Sequence, residues 1–212
     1  MHDNLKLLVR IIIKNSDLHG RWLNTFSYLE YIGFRKIVKS QDAEKLDLKT
    51  LGHAVEEGRH ALLLRKLAVN LGGPKLDTYM PDTLLCGREA ESYFQTLDGV
   101  CEEHLKVDVA SALRARLTYL YVTWLVELRA ISVYEIYQDA LSEIGEKFPL
   151  TGLLAEEDLH LQAVRKELCE CDKNWSCRGE ELKIIEEELY QNYILALSRE
   201  ILGTETSVEV FA

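Results

Sequence analysis

The chain has few residues that break helices. Only three prolines, Pro74, Pro81 and Pro149, occur in 212 residues, which leaves long runs that nothing interrupts. Long hydrophobic runs are missing as well. The segment Leu7-Leu8-Val9-Arg10-Ile11-Ile12-Ile13 is short and carries a charge at Arg10. It falls below the roughly 18 apolar residues of a membrane span, and no small-residue cleavage site follows it. The expectation is a cytoplasmic protein with no membrane partner. Basic charge is in deficit, with 25 Lys and Arg against 35 Asp and Glu, for a net charge of −10. Nonspecific nucleic-acid binding needs cations to displace counterions, so no nucleic-acid partner is expected. Five cysteines are an odd number and argue against a complete disulfide framework. Cys169, Cys171 and Cys177 cluster but offer neither C-x-x-C spacing nor a fourth ligand. Plain reduced thiols are therefore expected rather than a zinc or redox site.

What is present reads as helix. Apolar residues make up 47% of the chain and recur at helical spacing. A short apolar helix is expected over about 4–14, and long helices over about 18–40, 48–71, 106–144 and 151–171. The connection 72–104 holds a shorter helix at about 88–104, and a C-terminal helix runs over about 178–202. Ser16 or Asp17 is the expected cap of the first long helix. Gly72-Gly73-Pro74, Gly145 with Pro149, and Gly203 are the expected stops. Val208, Val210 and Phe211 fall in a tail. Two helix pairs with short internal loops, joined by one long connection, predict an all-α fold. Its form would be an antiparallel four-helix bundle with one long crossover and an additional C-terminal helix. A single domain over 1–212 is expected, with its core bundle at about 18–171.

Inside this pattern sits a repeated spacing. Glu57-x-x-His60 and Glu157-x-x-His160 lie 100 residues apart. Residues i and i+3 share a helix face, so each pair can address one ion. With 24 Glu and 6 His in the chain, chance supplies about 0.7 such pairs, so the argument rests on their context. Glu30 stands among Leu23, Phe26, Phe34 and Ile37, and Glu127 among Leu113, Leu117, Leu120, Trp124, Ile131 and Tyr134. A lone carboxylate in an apolar stripe is costly unless it is paired or bound to metal. The alternative places each Glu at the stripe's edge, reaching water or an Arg. Four carboxylates balance two divalent cations and would repel one another in a dry core without them. Oxygen ligands with imidazole suit iron or manganese better than structural zinc. Glu56 and Glu156 precede the two motifs. They either orient a histidine from the opposite helix or are ordinary acids on acidic helices.

Glu30, Glu-Glu-Gly-Arg-His over 56–60, Glu127 and Glu-Glu-Asp-Leu-His over 156–160 together resemble the ferritin-like di-iron carboxylate superfamily. The resemblance covers about 18–171 and implies a ferritin-like bundle holding two iron ions, or manganese and iron. It implies Glu30 and Glu127 as terminal ligands, Glu57 and Glu157 as bridging ligands, and His60 and His160 as one cap each. The chain departs from rubrerythrin-like peroxidases. Trp124 and Thr123 stand where those carry a further carboxylate, and there is no rubredoxin-like pair of C-x-x-C motifs. Ferritins usually lack the second histidine. A loose similarity to tRNA-hydroxylating di-iron proteins surrounds Glu127-Leu-Arg-Ala.

The implied function is a non-haem dinuclear oxidoreductase that activates O₂ or peroxide. Phe26, Phe34, Leu64, Trp124 and Ile131 favour oxidation or hydroxylation of a small apolar organic substrate, with a separate electron donor. The alternatives are a ferroxidase or peroxide-detoxifying protein, and a metal-free helical interaction module. Pocket candidates are His53, Thr123, Trp124 and Tyr134. Each also has a plainer reading: a boundary histidine, a hydroxyl bonded to its own helix, and packed core aromatics. Arg59 and Arg129 are expected in salt bridges on the flanks, and His2, His19 and His104 at the surface without partners. A homodimer through apolar helix surface is the default assembly.

Overall fold

The computed structural model describes residues 2–40, 44 and 46–203. Among them the protein is all-α, with no strand. The helices are α1 (His2–Ile12), α2 (Ser16–Ser40), α3 (Leu48–Gly72), α4 (Gly87–Leu105), α5 (Ser111–Glu143), α6 (Thr151–Cys171) and α7 (Trp175–Leu202). Two short 3-10 turns, Pro74–Leu76 and Pro81–Thr83, follow α3. The expected tail with Val208, Val210 and Phe211, and the side chain of His2, lie outside the described residues. No described helix is long and apolar enough to cross a membrane. The chain divides into two compact units, Leu7–Glu91 with Ala196–Ala212, and Met1–Lys6 with Ser92–Leu195.

In the first unit α2 and α3 pack antiparallel along a seam of small residues. Ala54, Ala61 and Ala68 recur every seventh position and are all buried, the spacing that keeps one helix face against a neighbour. Ser27 donates from Oγ to the Ala61 carbonyl at 2.6 Å. A Cβ on Gly20 would meet the Ala68 carbonyl at 3.1 Å and Leu76 Cδ1 at 2.6 Å. The backbones therefore approach closely, and Leu76 of the first 3-10 turn plugs the end of the seam. Pro74 starts that turn directly after Gly73, whose φ of +87° ends α3.

The connection after α3 is tied down by a polar stripe on α2. Asn24 Nδ2 donates to the carbonyls of Thr78 and Thr83 at 2.8 and 3.0 Å. The Leu85 N–H donates to Thr25 Oγ1 at 2.8 Å. Arg21 donates to the Leu84 carbonyl and, at 2.6 Å, to Glu200. Glu200 also accepts the N–H of Cys86 at 3.1 Å, a residue at φ +50°. These bonds fix the rotation of α2 and so the direction of Glu30.

In the second unit α5 and α6 pack antiparallel. Arg116 pairs with Glu167, Tyr121 donates to Asp172 at 2.7 Å, and Tyr137 stacks edge-on against Phe148 beyond the far end of α6. α7 runs along α5. Trp124 meets Trp175 edge-to-face at 6.3 Å, and Arg129 holds Glu186 through two bonds of 2.9 and 2.7 Å. Tyr93 of α4 donates to the same Glu186 at 2.6 Å. Burial and that carboxylate push the Tyr93 phenol far above its ordinary range, so it stays a donor. Burial opposes the charge on Arg129, but bonds from Glu186 and Glu187 outweigh it and raise the guanidinium above its usual value.

Several expectations need correction. The cap of α2 is Asn15, whose Oδ1 accepts from the N–H groups of Asp17 and Leu18, not Ser16 or Asp17. α5 starts at Ser111 rather than 106, because Asp108 is held outside the helix by Arg178 at 3.0 and 3.1 Å. His19 is buried at 6% exposure, since it extends the face of Trp22, Leu23 and Phe26 by one turn. His104 has a partner, with Nε2 3.1 Å from Glu181. Arg129 does form salt bridges, but largely buried ones. Leu113, placed on the core stripe of α5, is 37% exposed, since that stripe begins to be covered only at Leu117.

Two outcomes follow from this packing. Glu186→Ala leaves Arg129 buried without its bidentate acceptor and is expected to lower unfolding free energy by about 3 kcal/mol in urea titrations. Burial pushes the His19 imidazole down from 6.5 to about 4. The unfolded chain therefore binds the extra proton, and His19 supports the fold fully above pH 6.5 and progressively less down to about 4. Across that window wild-type stability is expected to fall more steeply than that of His19→Leu, by up to about 1 kcal/mol per pH unit.

Candidate metal centre

Each unit carries one carboxylate–imidazole cluster, and each is built the same way. An antiparallel helix pair brings a lone Glu from one helix against a Glu-x-x-His turn of the other. In the first unit, Glu30 comes from α2 and Glu57 and His60 from α3. One ligand atom from each of the three lies within 4.8 Å of the other two. Glu57 and His60 are buried at 7% and 2% exposure, and Glu30 is half-buried. The apolar wall is Phe26, Leu64 and Phe34, with the Phe34 ring lying against Gly58 on α3.

In the second unit, Glu127 comes from α5 and Glu157 and His160 from α6. His160 Nδ1 lies 3.4 Å from Glu157 Oε2 and 3.7 Å from Glu127 Oε1. The carboxylates are buried at 5% and 1% exposure. The lone glutamates are therefore not at the solvent edge of their stripes. Antiparallel packing puts each of them across from the Glu–His turn.

The donor chemistry of each cluster fits a divalent cation. Two carboxylates supply two negative charges and four oxygens, and the imidazole adds one nitrogen, a set suited to iron or manganese. Atoms bound to one ion at about 2.1 Å can lie no more than about 4.2 Å apart. The 3.4 and 3.7 Å separations around His160 already meet that limit. Glu30, Glu57 and His60 would hold the ion in the first unit, and Glu127, Glu157 and His160 the ion in the second.

The remaining candidates are distributed unevenly. His53 lies one turn before Glu57, with Nε2 3.1 Å from Glu57 Oε1, so it steadies a ligand carboxylate. Trp124 points its ring at Trp175 and Gly179 of α7. Tyr134 is buried two turns beyond Glu127, and Thr123 is half-buried one turn before it. Glu56 and Glu156 are both half-buried beside the ligand turns. The five cysteines are free thiols, Cys86 and Cys101 buried and the other three more open.

Periodicity did not bring out Gly33. It sits mid-helix in α2, one turn after Glu30, where a Cβ would lie 3.2 Å from Glu57 Oε2. Glycine inside a helix costs about 0.5–1 kcal/mol relative to alanine. Its presence leaves room for the carboxylate. The available signal was a lone interior glycine on the face of an acidic residue.

This separates two readouts. Gly33→Ala is expected to leave the melting temperature unchanged or slightly higher, through about 0.5–1 kcal/mol of helix propensity, while it displaces the Glu57 carboxylate. Titration with Fe(II) or Mn(II), followed by calorimetry, is expected to show weaker uptake in a protein that is no less stable.

No family model, characterised protein or solved structure matches this chain.

Proposed function

We propose that this protein is a non-haem dinuclear metalloenzyme, holding two iron ions, or manganese and iron, through Glu30, Glu57, His60, Glu127, Glu157 and His160. In this reading α2, α3, α5 and α6 are the four core helices of a ferritin-like antiparallel bundle. Residues 73–110 are its long crossover and α7 the added C-terminal helix. The support is the matched construction of the two clusters. Each antiparallel pair buries the same three donors in the same arrangement, and neither alone reaches the four or more ligands typical of these ions.

When bound, the metal pair would supply the activation of O₂ or peroxide. The chain's own contribution is to hold the donors dry and oriented. His53 fixes the Glu57 carboxylate through its 3.1 Å contact, and Gly33 leaves that carboxylate room. His160 keeps Nδ1 toward both Glu127 and Glu157. Phe26, Phe34 and Leu64 exclude water from one side, which favours a small apolar organic substrate over a hydrated one. An external electron donor completes the cycle. Oxidase or hydroxylase chemistry is therefore preferred to ferroxidase or peroxide detoxification.

Metal analysis of the purified chain after anaerobic addition of Fe(II) tests this directly. About two ions per chain are expected. Glu57→Ala and Glu157→Ala, each removing a buried donor, are expected to lower the content to one ion or fewer while helical circular dichroism is retained. A wild-type protein that takes up none would leave the metal-free interaction module as the reading.

A further inference from the structure

The face of α3 that points away from α2 has an unusual composition. Leu48, Val55 and Leu62 repeat every seventh residue and are 88%, 60% and 53% exposed. Leu51, at 44% exposure, adjoins them one turn along. At 100° per residue the four lie within a sector of about 60° and form a stripe roughly 21 Å long. Beside this stripe stand the exposed cations Lys49, Arg59 and Lys66. No exposed residue of α3 is acidic, although the chain carries 35 Asp and Glu and a net charge of −10.

The neighbouring end of α2 continues the pattern. Its exposed residues there are Arg35, Val38 and Lys39, and no exposed described residue of α2 is acidic. Both acids of the Glu56-Glu57 pair are turned inward. The segregation is therefore one of faces, and total composition hides it.

We propose that this face docks the protein peripherally on an anionic phospholipid bilayer. Aliphatic side chains beside a row of cations match the two components of such a surface, its acyl boundary and its acidic headgroups. A second copy of the chain fits less well. Twofold pairing of α3 stripes would set Lys49, Arg59 and Lys66 against their own counterparts with no carboxylate between them. α3 also has no Trp, Tyr or Phe to anchor in a protein partner's pocket, whereas a fluid lipid boundary demands no shape match. Docking is distinct from spanning, which none of the described helices can do.

The test is co-sedimentation of the full chain with vesicles of phosphatidylcholine mixed with phosphatidylglycerol, and with phosphatidylcholine alone. The protein is expected to pellet with the anionic vesicles, to do so less at high salt, and to stay in solution with neutral ones. R59Q and K66Q are each expected to lower the partition coefficient about fivefold, and V55E combined with L62E to abolish pelleting. These positions are exposed, so melting temperature and circular dichroism should match wild type and separate lost docking from lost fold. Three results overturn the proposal: no pelleting with anionic vesicles, pelleting that the variants leave unchanged, or a concentration-dependent dimer abolished by V55E in a protein that ignores lipid.

Discussion

Burial of ionised carboxylates is the constraint that organises both helix pairs. Glu57, Glu127 and Glu157 are all under a tenth exposed, on helix faces that otherwise bury aliphatic and aromatic side chains. A charge in that setting is tolerated only with compensation close at hand. In each pair the nearest partner is an imidazole one turn along the same helix, and the next is a carboxylate from the helix opposite. Two carboxylates and one imidazole leave a surplus of negative charge that a divalent cation would neutralise. The proposed chemistry follows from that imbalance.

Elsewhere the protein satisfies its buried charges internally, and the contrast is informative. Arg129 answers Glu186 with two parallel bonds, and Tyr93 adds a third. Arg178 bridges Asp108 and Asp172, with Tyr121 completing the set. Both networks pair a guanidinium with carboxylates, the planar arrangement that matches donors to acceptors best. The Glu–His clusters contain no such cation, only histidine. Buried carboxylates in this fold are thus of two kinds, those closed by arginine and those gathered around imidazole.

Much of the architecture was readable from periodicity. The limits expected for 48–71, 88–104 and 151–171 fall within one residue of α3, α4 and α6, because Gly72-Gly73-Pro74 and similar punctuation act locally. The start of α5 was not readable, since Asp108 is drawn off the helix by Arg178, 70 residues away. Burial of His19 was open to the same periodicity that found Trp22 and Phe26, but a polar residue at the end of a stripe was assigned to solvent. The connection after α3 looked like a loose loop. Asn24 and Thr25, two polar residues on an apolar helix, turn out to hold it. For the site, i,i+3 spacing was enough to put each Glu and His on one face, but nothing in the spacing indicated that Gly33 makes room for Glu57.

By itself the sequence determined the helices, their approximate ends, and which side chains share a face, because those depend on a fixed rotation per residue and on local breakers. Only the tertiary structure decided which faces are covered. The Ala54, Ala61 and Ala68 row and the Leu48, Val55 and Leu62 row have the same seven-residue period on the same helix, yet one is buried and the other open to solvent. Period alone cannot distinguish them. The distinction comes from a second helix with Ser27 and Gly20 at matching heights, small enough to let one row close.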